Sequence, residues 1–423
     1  MRQYWFAVQR YLDQVHVARQ CGDVPRPRPG QALVQVMACG ICGADIRAVT
    51  GNKTTSGDPE RYTILGHEGM GRVIAVKDDA TEFAVGDYVA ILPHVLDACH
   101  SAEAIQGQIE PVDIGSGRTL HMGWDLDGCF ADFTIVPTSN LVRIPLAQLQ
   151  RARQLAPRLR EAVFALVEPM LCTLSAYRLI EDQFRMLLGR ACPAGRALVI
   201  GCGPIGVLHS LVLLAHGFEV WLTDALPKRT LLTQWCLEGR GHMLDGEQPH
   251  DAFDLVMVAA SSAGAVRLGE KLVRNGGIVY LFAGLNATDY AAMDAENVFF
   301  YERLHRTAKG VLTTTRLIGK DKSIFYLGHS GYFEALSSEA VISVAAHAAS
   351  LDRSITGIIR GWSSPCIESR LPGSVDWATE DGSPAIIPVL QGFDLRARHV
   401  KLLVLPDHEK TETSPNGSMD VKK

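Results

Sequence analysis

Three residue types that bind zinc occur in the first part of the chain: Cys42 in GICGAD and, 25 residues on, the adjacent His67 and Glu68 in LGHEG. A thiolate and an imidazole are borderline-soft ligands suited to Zn2+, and a catalytic zinc needs a third protein ligand plus an open position for water or substrate. Two carboxylates could be that third ligand: Glu68, and Glu168 in Val167-Glu168-Pro169. By spacing alone, a buried structural pair explains Cys42 and His67 as well as a ligand pair does.

A second constellation is Gly201-Cys202-Gly203-Pro204-Ile205-Gly206, which fits G-x-G-x-x-G between the strand-like ALVI and a helix-like run. In that context Gly201 makes the tight turn, Gly203 lets the backbone approach a pyrophosphate, and Gly206 allows helix and strand to pack closely. The helix beginning at Pro204 then offers free N–H groups to the phosphates. Asp224 ends the next strand, where a carboxylate accepts the ribose hydroxyls of NAD and repels the 2′-phosphate of NADP. Lys228 and Arg229 follow, so NAD is expected, with some room for NADP.

The elements that must carry these groups fall into two rhythms. Up to about residue 165, short β-like runs (Gln31–Met37, Gly71–Val76, Asp87–Leu92, Phe130–Val136) alternate with Gly and Pro, which suggests a β-barrel-like domain. Arg151–Arg160 reads as an exposed helix or connection. Strands and helices then alternate: strand Ala197–Ile200, helix Pro204–Ala215, strand Glu219–Thr223, helix Pro227–Glu238, strand Phe253–Ala259, helix Ala263–Arg274 and strand Gly277–Phe282. That succession means βαβ units and a doubly wound parallel sheet, with Ser323–Leu327 expected as its last strand. Val400–Leu405 is a further strand, and the tail from residue 408 is polar. The expected division is a catalytic domain over 1–166 and 329–407, a nucleotide domain over 167–328, and a disordered tail over 408–423.

Composition sets the outer limits. The 423 residues are 47% hydrophobic and carry a net charge of −5, which leaves no basic footprint for nucleic acid and no polybasic patch for a membrane. Ala197–Ala215 is apolar enough to resemble a span, but its Gly-Cys-Gly-Pro interruption argues for strand, turn and helix. Ten scattered cysteines and an N-terminus without a signal pattern read as a reduced, cytoplasmic protein.

Taken in order, ACGICGADI, LGHEGMGRVIAV, VGDYVA, DGCFADFTIVPTSNLVRIP, LVEP, VIGCGPIGVL, TDALPKR and RNGGIVYLFAG resemble the zinc-dependent medium-chain dehydrogenases, in particular their polyol (sorbitol-like) branch. The resemblance runs from about residue 20 to 330, and more loosely to about 405. It implies a GroES-like barrel domain joined to a Rossmann domain, with Cys42 and His67 as ligands of one catalytic zinc. It also implies Glu68 or Glu168 as the third ligand, and Asp45 as the carboxylate that orients the ligand imidazole. The activity implied is NAD-linked interconversion of a secondary alcohol (polyol, sugar or cyclitol derivative) and its ketone, in a homodimer or homotetramer.

Three departures stand out. The stretch from Leu92 to Asp127 holds only Cys99 where the family's structural zinc lobe has four cysteines, so that second zinc is expected to be absent. His94, His100 and His121 in this stretch read as surface residues. Ala44 replaces the usual relay hydroxyl, and Arg47 replaces a relay histidine found in some members; a guanidinium can bind ribose or phosphate but is a poor proton shuttle. Trp124 could line the substrate cleft or simply pack. Two other readings stay open: a metal-free NADPH-dependent quinone or enone reductase on the same fold, and a non-catalytic nucleotide-binding relative. Residues 308–322 and 352–398 have no assigned role, whether in substrate choice or in a subunit contact.

Overall fold

Short strands punctuated by Gly and Pro in the first part of the chain pair antiparallel, and continuous apolar runs alternating with helices in the second part pair parallel. The computed structural model describes residues 2–11, 14–49, 62–77, 81–95, 120–188, 195–244, 251–285, 289, 314–318, 322–328, 331–360, 366–369 and 401–405. The chain divides into two units. One comprises Met1–Arg143, Gly357–Gly392 and Leu403–Lys423, and the other Ile144–Thr356 and Phe393–Leu402. The boundaries differ from the sequence expectation because the helices over 146–155 and 337–354 pack on one another and on the helices of the nucleotide-type unit.

In the first unit, β1 (Arg2–Tyr11) and β2 (Gln14–Asp23) form a hairpin that β4 (Thr63–Ile64) joins. The main antiparallel sheet is organised around β3 (Gln31–Gly40), which pairs along its length with β5 (Glu68–Lys77). After β3 comes helix α1 (Gly43–Val49). The strands β6 (Tyr88–Ile91), β7 (His94–Val95), β8 (Leu120–His121), β9 (Phe133–Pro137) and β10 (Leu141–Arg143) follow. β9 covers residues 31–35 of β3. β7 pairs β8 as a separate two-stranded ladder.

The second unit opens with α2 (Leu146–Leu155) and α3 (Val167–Leu188). Its sheet strands are β11 (Arg196–Ile200), β12 (Glu219–Thr223), β13 (His242–Met243), β14 (Phe253–Val258), β15 (Val273–Leu281), β16 (Thr314–Ile318) and β17 (Lys322–Gly328). Between them lie α4 (Pro204–Ala215), α5 (Pro227–Cys236) and α6 (Ala263–Leu272), and after them α7 (Ser337–Ala346) and α8 (Ala348–Ser354). The strand order is β13-β12-β11-β14-β15-β17-β16. Every pair is parallel except β16 with β17. The strand over residues 323–327 therefore does not end the sheet: β16, within the stretch that lacked an assignment, pairs antiparallel on its outer side. The order reverses at β11, so the crevice beyond its carboxyl end is the place where such sheets bind ligands.

The chain then returns to the first unit through β18 (Ile355–Arg360), β19 (Cys366–Ser369) and β20 (Lys401–Leu405). β20 pairs the end of β3 at Cys39 and Gly40. The apolar stretch 197–215 is split between β11 and α4. The helical run Arg160–Met186 is long and apolar enough to cross a bilayer, but 83% of its most apolar window is buried inside the fold, as in a core helix. Sequence reading missed α3 because Pro169 falls in its opening residues; Pro is tolerated in a first turn, where its missing N–H costs nothing.

Candidate metal and dinucleotide sites

The end of β3 and the start of β5 are neighbours in the sheet, with Gly40 opposite Glu68. That register brings together segments far apart in sequence. Cys42 lies just beyond β3, and His67 and Glu68 sit at the beginning of β5. Their ligand atoms all lie within 4.8 Å of one another. His67 and Glu68 are buried and Cys42 is partly exposed, so the cluster is open on the thiol side.

Asp45, in the first turn of α1, ties the two segments together. One carboxylate oxygen accepts the Cys42 N–H at 2.8 Å; the other accepts the Gly66 N–H at 3.2 Å and faces His67 Nδ1 at 3.5 Å. A buried carboxylate behind an imidazole is the arrangement that fixes a ligand histidine's tautomer and ring plane. Burial pulls the His67 pKa down, but Asp45 and then Cys42 outweigh it and hold it well above the ordinary imidazole value. Burial pushes Asp45 up, and His67 with the two backbone donors overcomes this to leave its pKa lowered.

Gly66 has φ +87° and touches the floor of the site. A Cβ there would lie 2.7 Å from Phe130 and 2.9 Å from Cys39 Sγ. Only glycine meets both the left-handed backbone and this close approach.

The structure corrects the reading of two histidines. His94 and His121 are partly buried rather than surface residues. Their rings lie 4.8 Å apart across the β7–β8 ladder. His121 stacks on Trp124 at 3.7 Å, and Trp124 lies 4.7 Å from the His67 ring. The His121 Nδ1 is 2.7 Å from the Met122 carbonyl, which can only accept, so Nδ1 carries the proton. Sequence pattern did not reveal this wall because a two-residue strand gives no periodic signal. His100 and Cys99 lie outside the described residues, as does most of the stretch expected to lack a structural zinc.

Among the other predicted residues, Ala44 is buried at 4% exposure and Arg47 is exposed on α1. Glu168 belongs to the second unit, where it occupies the first turn of α3 and accepts the Cys172 thiol at 3.4 Å.

The dinucleotide motif has the geometry its sequence implies. Gly201 has φ +105°, and a Cβ on Gly206 would lie 2.0 Å from the Gly201 carbonyl oxygen, whereas a Cβ on Gly203 would meet nothing within 4 Å. The turn and the helix are thus packed tightly, and the face at Gly203 is open. Pro204 starts α4 and Ile205 follows it. Asp224 accepts the Cys202 N–H at 2.7 Å and the Leu226 N–H at 2.8 Å. The acidic residue is thereby fixed beside the glycine loop. Burial, and then Asp224, push the Cys202 thiol up to about 12, so it is a packing group. Arg229 is half-buried near this loop and Lys228 is exposed.

Residues 28–146 match the alcohol dehydrogenase GroES-like domain family. Over 261 residues the chain is 29% identical to a glucose 1-dehydrogenase of Thermoproteus tenax, an alignment covering 61% of this chain and 69% of that one. It is 28% identical to an L-galactonate-5-dehydrogenase of Escherichia coli, over 49% of this chain and 52% of that one, about half its length. Among solved structures, the Haloferax mediterranei glucose dehydrogenase in complex with NADP, Zn and gluconolactone is similar with a TM-score of 0.62 and 18% identity, covering 95% of this chain and 99% of that one. Residues 28–146 thus match the alcohol dehydrogenase GroES-like domain family, and the chain shares the fold of the Haloferax mediterranei glucose dehydrogenase.

Proposed function

We propose that this protein is a zinc-dependent, NAD-linked dehydrogenase that interconverts a secondary alcohol on a polyol, sugar or cyclitol derivative with its ketone. The observation that carries this reading is the Cys42–His67–Glu68 cluster, with ligand atoms within 4.8 Å of one another and a buried carboxylate behind the imidazole. A thiolate, an imidazole and a carboxylate, with one side open, suit a catalytic zinc. The same cluster argues against a metal-free quinone or enone reductase, which has no use for it, and against a non-catalytic relative.

When bound, the zinc supplies Lewis acidity toward the alcohol oxygen and the nicotinamide a hydride acceptor. The protein's own groups do the rest. Cys42, His67 and Glu68 hold the metal; their proximity supports Glu68 as third ligand, with Glu168 the alternative. Asp45 fixes His67 and the Cys42 loop. Trp124 and His121 wall the cluster and limit the shape of what reaches it. Ala44 carries no hydroxyl to pass the substrate proton, and whichever of Glu68 and Glu168 does not hold the metal takes that role in this reading. Gly201, Gly203 and the N-terminus of α4 (Pro204, Ile205, Gly206) receive the pyrophosphate. Asp224 takes the ribose hydroxyls, which favours NAD, while Arg229 and Arg47 are candidates for further ribose or phosphate contacts.

The reading extends to a homo-oligomer and to the cytoplasm. The latter rests on the ten cysteines lying scattered along the sequence rather than in a dense framework. The test is metal analysis of the wild type and Cys42→Ala, coupled to turnover over polyols, sugars and amino alcohols with NAD and NADP. One zinc per chain, with activity lost alongside it in the variant, is expected. Full activity without metal overturns the proposal. Glu68→Gln and Glu168→Gln, compared by zinc content, separate the ligand from the second carboxylate.

A further inference from the structure

Beneath the ligand cluster lie two thiols that the proposed chemistry leaves unused. Cys39 is near the end of β3, shortly before Cys42, and Cys129 lies on the loop that passes behind Gly66 and Gly69. Both are buried, at 1% and 0% exposure. The Cys39 thiol donates to the Gly40 carbonyl at 3.6 Å, and burial, then the neighbouring Cys129, push its pKa well above the ordinary thiol value. Gly69 is the cross-strand partner of Cys39, and a Cβ on Gly69 would lie 2.4 Å from Cys129 Sγ. A Cβ on Gly66 would lie 2.9 Å from Cys39 Sγ, so both sulfurs border the Gly66–Gly69 segment, in space that larger residues there would fill. The Cys129 N–H in turn donates to the Gly66 carbonyl at 2.8 Å.

We propose that Cys39 and Cys129 are a modification site: a hydroperoxide converts them to a reversible disulfide, and the disulfide switches off the adjacent metal cluster. One thiol attacks the peroxide O–O bond, becoming a sulfenic acid and releasing one water or alcohol. The second thiol then attacks that sulfur, the S–S bond forms and the sulfenic oxygen leaves as water. The pair loses two electrons and two protons, and the O–O bond of the peroxide is the group reduced.

The consequence for the metal follows from position. A disulfide holds its sulfurs about 2.05 Å apart, closer than two unbonded thiols approach. The end of β3 and the Cys129 loop must close on each other to form it. β3 leads directly into Cys42, and Cys129 is bonded to the residue that precedes His67. Oxidation therefore pulls on both ligand-bearing segments, and metal sites lose affinity when their supporting contacts shift. Burial keeps oxidant away until the region opens locally, so the pair reacts after the exposed Cys21.

The experiment uses the zinc-loaded full chain exposed to hydrogen peroxide, followed by thiol alkylation, digestion and mass spectrometry, with zinc content and activity measured in parallel. The expected result is a linked peptide containing Cys39 and Cys129, lighter than the reduced pair by two hydrogens. Activity falls about tenfold or more as it accumulates and returns with dithiothreitol. Cys129→Ala forms no such peptide and keeps its activity under the same exposure; Cys39→Ala serves if that variant does not fold. Absence of the linked peptide when Cys21 is fully oxidised and the fold is intact overturns the site. Equal inactivation of the wild type and the folded variant overturns the switch. The activity arm rests on the function proposed above, but the linked peptide does not: a chain that forms it yet turns over no alcohol would sink that function and leave the disulfide standing.

Discussion

The buried Asp45 carboxylate lies 3.5 Å from His67 Nδ1 and at the same time binds the Cys42 N–H, so one side chain sets the position of two metal-ligand candidates. Replacing it by Asn keeps an acceptor but removes the charge. Asp45→Asn is expected to weaken zinc binding by roughly 10–100-fold, as the loss of such supporting partners does. Competition against a chelating dye measures it. Wild-type affinity in the variant would show that Asp45 serves the fold alone.

The same pair predicts how pH acts on the metal-free protein. With the His67 pKa raised in the fold, the proton stabilises the folded state fully below the unfolded imidazole pKa of about 6.5, and that contribution is lost as pH rises through the raised folded value. Zinc competes with that proton. Zinc affinity should therefore climb with pH through the raised His67 pKa, as the ligands lose their protons. Calorimetric titrations across pH, in buffers of differing ionisation enthalpy, should also register a released proton. A flat profile contradicts the geometry.

Gly66→Ala should be severely destabilising. The new Cβ meets Phe130 and Cys39 at under 3 Å while the backbone sits at φ +87°. Overpacking and left-handed strain together are expected to cost about 2–4 kcal/mol. Urea denaturation with and without zinc would read this, and a loss below about 1 kcal/mol would show that the floor can yield.

Cofactor choice is expected to turn on Asp224. Asp224→Asn removes the charge opposed to a 2′-phosphate while keeping one acceptor for the Cys202 or Leu226 N–H. The ratio of NADP to NAD efficiency should rise by about tenfold or more, since a shift of about 1.4 kcal/mol suffices. Steady-state kinetics with both cofactors decide it, and an unchanged ratio would move discrimination to Arg229 or elsewhere.

Two parts of this protein differ in how far sequence alone determined them. The dinucleotide loop was legible because its parts are local. Gly201, Gly203, Gly206 and Asp224 follow one another through strand, turn, helix and strand, so spacing carries the geometry. Cys42, His67 and Glu68 were nameable as ligands, but their meeting depends on the Gly40–Glu68 register of β3 and β5, a long-range pairing that no local pattern specifies. Two carboxylates of equal chemistry, Glu68 and Glu168, left the third ligand open in the sequence, and the proximity of Glu68 to Cys42 and His67 supports that residue. The His94–His121–Trp124 wall and the placing of Cys39 and Cys129 about the Gly66–Gly69 segment were decided by tertiary structure alone, because each joins residues whose sequence neighbours say nothing of the partner across the sheet.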